Sequence, residues 1–145
     1  MIYLGSDHGG FELKTKVKKH LDSLTVEYID LGCDSNDSVD YPVYAKKVAD
    51  KVIKDKTSLG VLICGTGIGM SIAANKVKGI RAALCSDCYT AKVTREHNNS
   101  NVLVMGGRVI GEELAKEIVE GFIKTDFSGD ERHVRRLNML EESDC

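Results

Sequence analysis

Residues 60–69 read Gly60-Val61-Leu62-Ile63-Cys64-Gly65-Thr66-Gly67-Ile68-Gly69. Four apolar residues in a row behind a glycine make a strand of the fully buried type. The alternating glycines after it make a tight turn, and residues 70–76 leave room only for a short helix. A buried strand that ends in a glycine turn and a helix is the building unit of a parallel sheet.

The same alternation runs outward in both directions. Upstream, residues 2–5 form a short apolar run, and Leu13, Val17, Leu21 and Leu24 then recur at helical spacing. Residues 26–31 are the next strand, and the polar stretch 33–40 is a loop. Asp40-Tyr41-Pro42 opens a helix with proline near its first position, and Tyr44, Ala45, Val48, Ala49, Val52 and Ile53 make its apolar stripe. Downstream come a strand at 80–85 and a helix at 87–97 with Ser86 as its cap. A strand at 102–105 follows. Leu114, Ala115, Ile118, Val119, Phe122 and Ile123 mark a further helix. A last segment, 130–141, carries Val134, Leu137 and Leu140 on one side. Five strands alternating with helices predict an α/β fold: a three-layer α/β/α sandwich with a five-stranded parallel, Rossmann-like sheet and an extra C-terminal helix. The chain reads as one domain, 1–145, with an arm from about 128 to 145, since 145 residues suit a single core.

Composition narrows the function. A net charge of −2 argues against a general nucleic-acid binder. No apolar run approaches a membrane span, and Met1-Ile2-Tyr3-Leu4-Gly5 lacks the marks of a signal peptide. Five irregularly spaced cysteines, Cys33, Cys64, Cys85, Cys88 and Cys145, do not form a disulfide framework. A reducing, cytoplasmic setting follows as the expectation.

In an open parallel sheet the ligand sits beyond the carboxyl ends of the strands. The residues there include Asp7-His8-Gly9-Gly10, Cys64 to Gly69, and Arg108. Glycines at a strand-to-helix turn let N–H groups approach an anion. Met70 stands where a dinucleotide fingerprint needs its third glycine, and no Gly-Lys-Ser/Thr phosphate loop is present, so nucleotides are poorly supported. Cys64 opens the turn, where the helix dipole favours thiolate, a nucleophile or base; the plainer reading is a small core residue. Asp7 reads either as a helix cap or as a ligand for substrate, with His8 beside it. His97 closes the fourth helix, where an imidazolium is favoured and can donate a proton; the plainer reading is a capping residue. Arg132 and Arg136 are four apart and share a helix face, which suits a phosphate clamp or a solvated basic patch. Cys85-Ser86-Asp87-Cys88 has redox spacing but reads as structural, and His20, Cys33 and Cys145 carry no assigned role.

Several motifs together resemble one family: Ser6-Asp7-His8-Gly9-Gly10-Phe11, Asp40-Tyr41-Pro42, Cys64-Gly65-Thr66-Gly67-Ile68-Gly69, Ser71-Ile72-Ala73-Ala74-Asn75-Lys76, Gly79-Ile80-Arg81-Ala82-Ala83, Glu96-His97-Asn98-Asn99-Ser100-Asn101 and Gly107-Arg108-Val109-Ile110-Gly111. In this order, end to end, they are similar to the type B ribose-5-phosphate isomerases. That group also holds galactose-6-phosphate and allose-6-phosphate isomerases. The resemblance implies an aldose–ketose isomerase of the pentose phosphate pathway, without metal or cofactor, that interconverts ribose 5-phosphate and ribulose 5-phosphate through an enediolate. It implies Cys64 as the proton-transfer base, His97 as the ring-opening acid, and the amides of Gly65, Thr66, Gly67, Ile68 and Gly69 as the enediolate's anion hole, assisted by the Thr66 hydroxyl. It further implies Asp7, Tyr41 and Asn98 as sugar contacts and His8, Arg108, Arg132 and Arg136 as the phosphate set. The implied partner is a second copy: a homodimer or tetramer with shared active sites. A six-carbon phosphosugar is the alternative substrate, and a phosphosugar sensor without catalysis is the non-enzyme alternative.

Overall fold

The structure is a computed structural model that describes residues 1–142. Cys145 and the last three residues of the expected 128–145 arm lie outside the described residues.

The elements run β1 (Ile2–Ser6), α1 (Phe11–Ser23), β2 (Tyr28–Asp30), α2 (Tyr41–Lys54), β3 (Leu59–Cys64), α3 (Ile68–Asn75), β4 (Ala82–Leu84), α4 (Cys88–Asn98), β5 (Val102–Gly106), α5 (Glu112–Lys124) and α6 (Glu131–Glu142). The five strands form one sheet in the order β2-β1-β3-β5-β4. Every pairing is parallel, with Leu4 opposite Val61, Cys64 opposite Gly106 and Ala83 opposite Leu103. The expected three-layer sandwich is therefore the fold, with α6 added outside it.

The period-2 alternation of β3 explains the layers. Val61 and Ile63 face α1, α4 and α5, against Leu13, Val17, Leu21, Ile118 and Phe122. Leu62 and Cys64 face α2 and α3, against Val48, Ala49, Met70 and Ala74. A central strand must be apolar on both faces, which is why residues 61–64 are an unbroken run. The edge strands β2 and β4 are three residues each, shorter than the spans 26–31 and 80–85 predicted from the apolar runs. Each has only one neighbour to pair with. The α4 cap is Asp87, whose carboxylate accepts from the Thr90 N–H at 2.7 Å; Ser86 does not fill that role. The α3 helix starts at Ile68, earlier than the predicted 70, because Gly67 takes a left-handed φ of 82° and turns the chain at once.

A lysine lies in the core. Lys14 is 1% exposed, and its ammonium donates to Asp30 Oδ1 at 2.8 Å and to the Cys33 carbonyl at 2.5 Å. Lys18 donates to Asp30 Oδ2, and the Gly32 N–H to Oδ1. Burial works against the Asp30 carboxylate, but Lys14, Lys18 and the Gly32 amide outweigh it and hold its pKa below the usual carboxylate range. The stabilisation this brings is present above the unfolded value, about pH 4, and is lost as pH falls through the lower folded value. Removing one partner of a buried pair costs about 3–5 kcal/mol. Asp30→Ala, which strands the Lys14 ammonium, is expected to reach that range in urea unfolding. Lys14→Met, which leaves Asp30 its Lys18 partner, is expected to cost clearly less. Equal losses would mean that Lys18 does not support the Asp30 carboxylate once Lys14 is gone.

Candidate active site

The strand order puts a switch point between β1 and β3. The connection after β1 leads to β2 at one edge, and the connection after β3 leads away to β4 at the other. The two turns part there and leave a crevice at the carboxyl ends, the general ligand position in such sheets. Both turns are glycine-rich because they almost touch. A Cβ on Gly10 would stand 2.2 Å from the Ile63 carbonyl oxygen, and one on Gly9 would stand 3.0 Å from the Gly65 nitrogen.

Six of the expected residues gather around this crevice. Cys64 ends β3, 5% exposed, and its Sγ accepts the Gly67 N–H at 3.1 Å. Thr66 is exposed on the turn, and its hydroxyl accepts the Ile68 N–H at 3.2 Å. The amides of Gly69 and Met70, in the first turn of α3, have no acceptor within the helix. Asp7 is buried and accepts the Gly10 N–H at 3.1 Å. That bond belongs to the turn before α1; the helix cap itself is Gly10, so Asp7 does not cap α1 as the plainer reading had it. The Val39 N–H donates to His8 Nδ1 at 3.2 Å, so a neutral His8 carries its proton on Nε2, free to donate. The Tyr41 ring lies against Gly69, 2.6 Å from where a Cβ would be. The Arg108 guanidinium lies over Gly65 in the same way, at 2.9 Å, and the Arg108 backbone N–H donates to the Gly65 carbonyl. The turn of Gly65, Thr66, Gly67, Ile68 and Gly69 is thus flanked by a phenol on one side and a cation on the other.

The rest of the expected set lies at the other end of the sheet. The α4 helix leaves the carboxyl end after β4 and runs back to the amino end, where Asn101 leads into β5 beside Gly60. His97 and Asn98 close that helix, and the Asn98 carbonyl accepts from Arg81 just ahead of β4. The α6 helix packs on α4, and Arg132 and Arg136 are exposed on it. Strands of five to six residues span about 17–20 Å. So within one chain Cys64 and His97 are held apart by the length of a strand. The expected residues thus fall into two groups: Cys64, Thr66, Asp7, His8, Tyr41 and Arg108 at one end, and His97, Asn98, Arg132 and Arg136 at the other.

Two partners of these groups were not singled out in the sequence. The Val39 amide that orients His8 sits in a loop with no motif. His133, between the two arginines, stacks on His97 with ring centroids 4.3 Å apart. The i, i+4 spacing of His133 and Leu137, the two buried residues of α6, is the signal that it faces inward.

A cavity of about 550 Å³ also opens at the amino end, lined among others by Arg81, Arg95, Asn101 and Glu141. Its arginines are already occupied: Arg81 pairs with Glu141 at 2.7 Å, and Arg95 donates to the Thr125 and Ser100 carbonyls. It is far from Cys64 and holds none of the crevice residues. Burial pushes the Cys85 thiol up, and burial with the Glu117 carboxylate does the same at Cys88. Neither favours a redox pair. No helix among the described residues is long and apolar enough to cross a membrane.

The family model described as Ribose/Galactose Isomerase matches residues 2–140. The chain is 48% identical to ribose-5-phosphate isomerase B of Escherichia coli, over 96% of this chain and 93% of that one. The structure superposes on ribose-5-phosphate isomerase B of Clostridium thermocellum with a TM-score of 0.95 and 46% identity, covering 99% and 96% of the two chains. It superposes on the Mycoplasma genitalium enzyme of the same name, solved with bound ribulose-5-phosphate, with a TM-score of 0.94 and 42% identity, covering 99% and 95%. With all five strands and both glycine turns inside the matched span, the chain belongs to the ribose/galactose isomerase family.

Proposed function

We propose that this chain is a ribose-5-phosphate isomerase whose active site is completed by a second copy. The observation that carries the reading is the Cys64 sulfur held at the Gly67 amide, beside Asp7 and His8. A base lies next to a ring of N–H donors, which is what proton abstraction beside a carbonyl requires.

The chemistry follows in two stages. The His97 imidazole of one copy gives a proton to the ring oxygen of ribose 5-phosphate as the C1 hydroxyl passes its own to solvent water; the C1–ring oxygen bond breaks and the ring opens to the aldehyde. Cys64 of the other copy, as thiolate, takes the C2 proton. The C–H electrons form the C1–C2 double bond, and the carbonyl electrons move onto O1. The turn amides and the Thr66 hydroxyl stabilise that charge. The thiol returns its proton to C1, the O2 proton passes to O1, and C2 becomes the ketone of ribulose 5-phosphate. Asp7, Tyr41 and Asn98 hold sugar hydroxyls. His8 Nε2, Arg108, Arg132 and Arg136 hold the phosphate.

A donor must come within about 3 Å of the atom it serves. A strand-length gap between Cys64 and His97 supports a site shared between two copies. A two-fold pairing that sets the carboxyl end of one copy against the amino end of the other completes two sites at once. Ile68, Ile72, Leu84 and Val109, each 44–60% exposed near the crevice, supply apolar surface for that contact.

The test is turnover of the purified protein on ribose 5-phosphate, allose 6-phosphate and galactose 6-phosphate, with and without a chelator. The greatest kcat/KM on the five-carbon sugar, unaffected by chelation, is the expected result. A six-carbon preference would keep the mechanism and change the substrate. No turnover on any of the three would favour a phosphosugar sensor and overturn the reading.

A further inference from the structure

The α6 helix buries only two of its side chains, His133 and Leu137. Leu137 is an ordinary apolar anchor. His133 is not: its ring is 6% exposed, yet Nε2 has no hydrogen-bond partner among the described residues. A buried polar atom left unpaired is unfavourable, and a leucine would fill the same place without it. What the imidazole contributes instead is a flat face. That face lies on the His97 ring at 4.3 Å, with the planes 17° apart.

The stack is anchored from both sides. The His133 N–H donates to the Asp130 carbonyl at 2.9 Å, which fixes the start of α6. The Ser128 N–H donates to the Glu96 carbonyl, which ties the preceding loop to the residue before His97. Burial, the His97 ring on α4, and Arg132 and Arg136 on α6 push the His133 pKa down, against Asp130, which works the other way. Protonation of His133 in the stack is therefore disfavoured, while its ring face stays in place against His97.

We propose that His133 is a positioning residue for His97: its clamped ring stacks on the His97 imidazole and fixes the direction in which that imidazole meets the substrate. The proposal rests on His97 acting as the ring-opening acid. A misplacement of about 1 Å in a reacting group can cost 100-fold in rate. Holding the acid in line is thus sufficient reason to bury an imidazole there.

Three variants of the full chain test it: His133→Ala, His133→Phe and Leu137→Ala. With ribose 5-phosphate, His133→Ala is expected to lower kcat by about 10- to 100-fold with KM little changed. His133→Phe keeps a flat ring and is expected to recover most of kcat. Leu137→Ala loosens α6 and with it Arg132 and Arg136, so its effect is expected mainly on KM. Wild-type kcat in His133→Ala, or a KM rise that copies Leu137→Ala, would overturn the proposal. So would a His133→Phe variant as slow as His133→Ala. If His133→Ala does not fold, the Phe variant decides alone. The His97 ring proton shifts, read by NMR, give an arm independent of turnover: they are expected to move in His133→Ala and to stay near wild type in His133→Phe. Failure of wild-type turnover would sink the function while leaving this arm to judge the stack; unmoved His97 shifts in His133→Ala would sink the stack.

Discussion

Cys64→Ala is expected to lower kcat on ribose 5-phosphate by about 10³- to 10⁴-fold, the upper range for loss of a general base. Ribose 5-phosphate binding is expected to change by no more than about threefold, because the phosphate and hydroxyl contacts come from other residues. Nothing at the crevice can replace the sulfur. Asp7 is buried, with Oδ1 committed to the Gly10 N–H, and His8 Nδ1 is committed to the Val39 N–H. The fold should survive: Cys64 is small, and alanine fits the apolar face shared with Met70 and Val104. Kinetics beside calorimetric binding separate the cases. Wild-type turnover would remove Cys64 from the chemistry, and lost binding would make it a substrate contact.

His97→Ala is expected to be nearly as severe on ribose 5-phosphate, about 10²- to 10³-fold, but with a different signature. Ribose 5-phosphate is a closed ring and must be opened. Ribulose 5-phosphate cannot close a five-membered ring, because its O5 carries the phosphate. Exchange of its C1 proton with solvent therefore needs the base but no ring-opening acid. In deuterium oxide, His97→Ala should keep most of that exchange, while Cys64→Ala should lose it. Equal loss in both variants would mean that His97 works on the proton transfer itself.

Much of this was legible in the sequence because the signals were local. The apolar run at residues 61–64 and the glycines after it specify a buried parallel strand and its turn whatever surrounds them. Asp7, His8, Cys64, Thr66 and Arg108 could be assigned to one end of the sheet, because post-strand segments in a parallel sheet share an end. Charges were less legible. Lys14 stands among Lys16, Lys18 and Lys19 and looks like one more solvated lysine. Only its place on the Leu13, Val17 and Leu21 face puts it in the core, and only the fold brings it Asp30. The cap at Asp87 was missed by one residue because serine and aspartate satisfy the same backbone need. The stack of His97 on His133 joins two helices 36 positions apart and has no local mark at all.

The separation of Cys64 from His97 has the largest consequence. A helix that follows a strand carries its last residues to the opposite end of the sheet, so the proposed acid at the end of α4 is out of reach of the proposed base at the end of β3. The most direct measurement is complementation. Cys64→Ala and His97→Ala chains, each inactive alone, are co-expressed with different tags, and the mixed species is assayed on ribose 5-phosphate. If each site takes Cys64 from one copy and His97 from another, the mixed dimer has one site with both residues intact and one with neither, so its activity is expected to return to about half of wild type. Activity no higher than that of either variant alone would contradict the shared site.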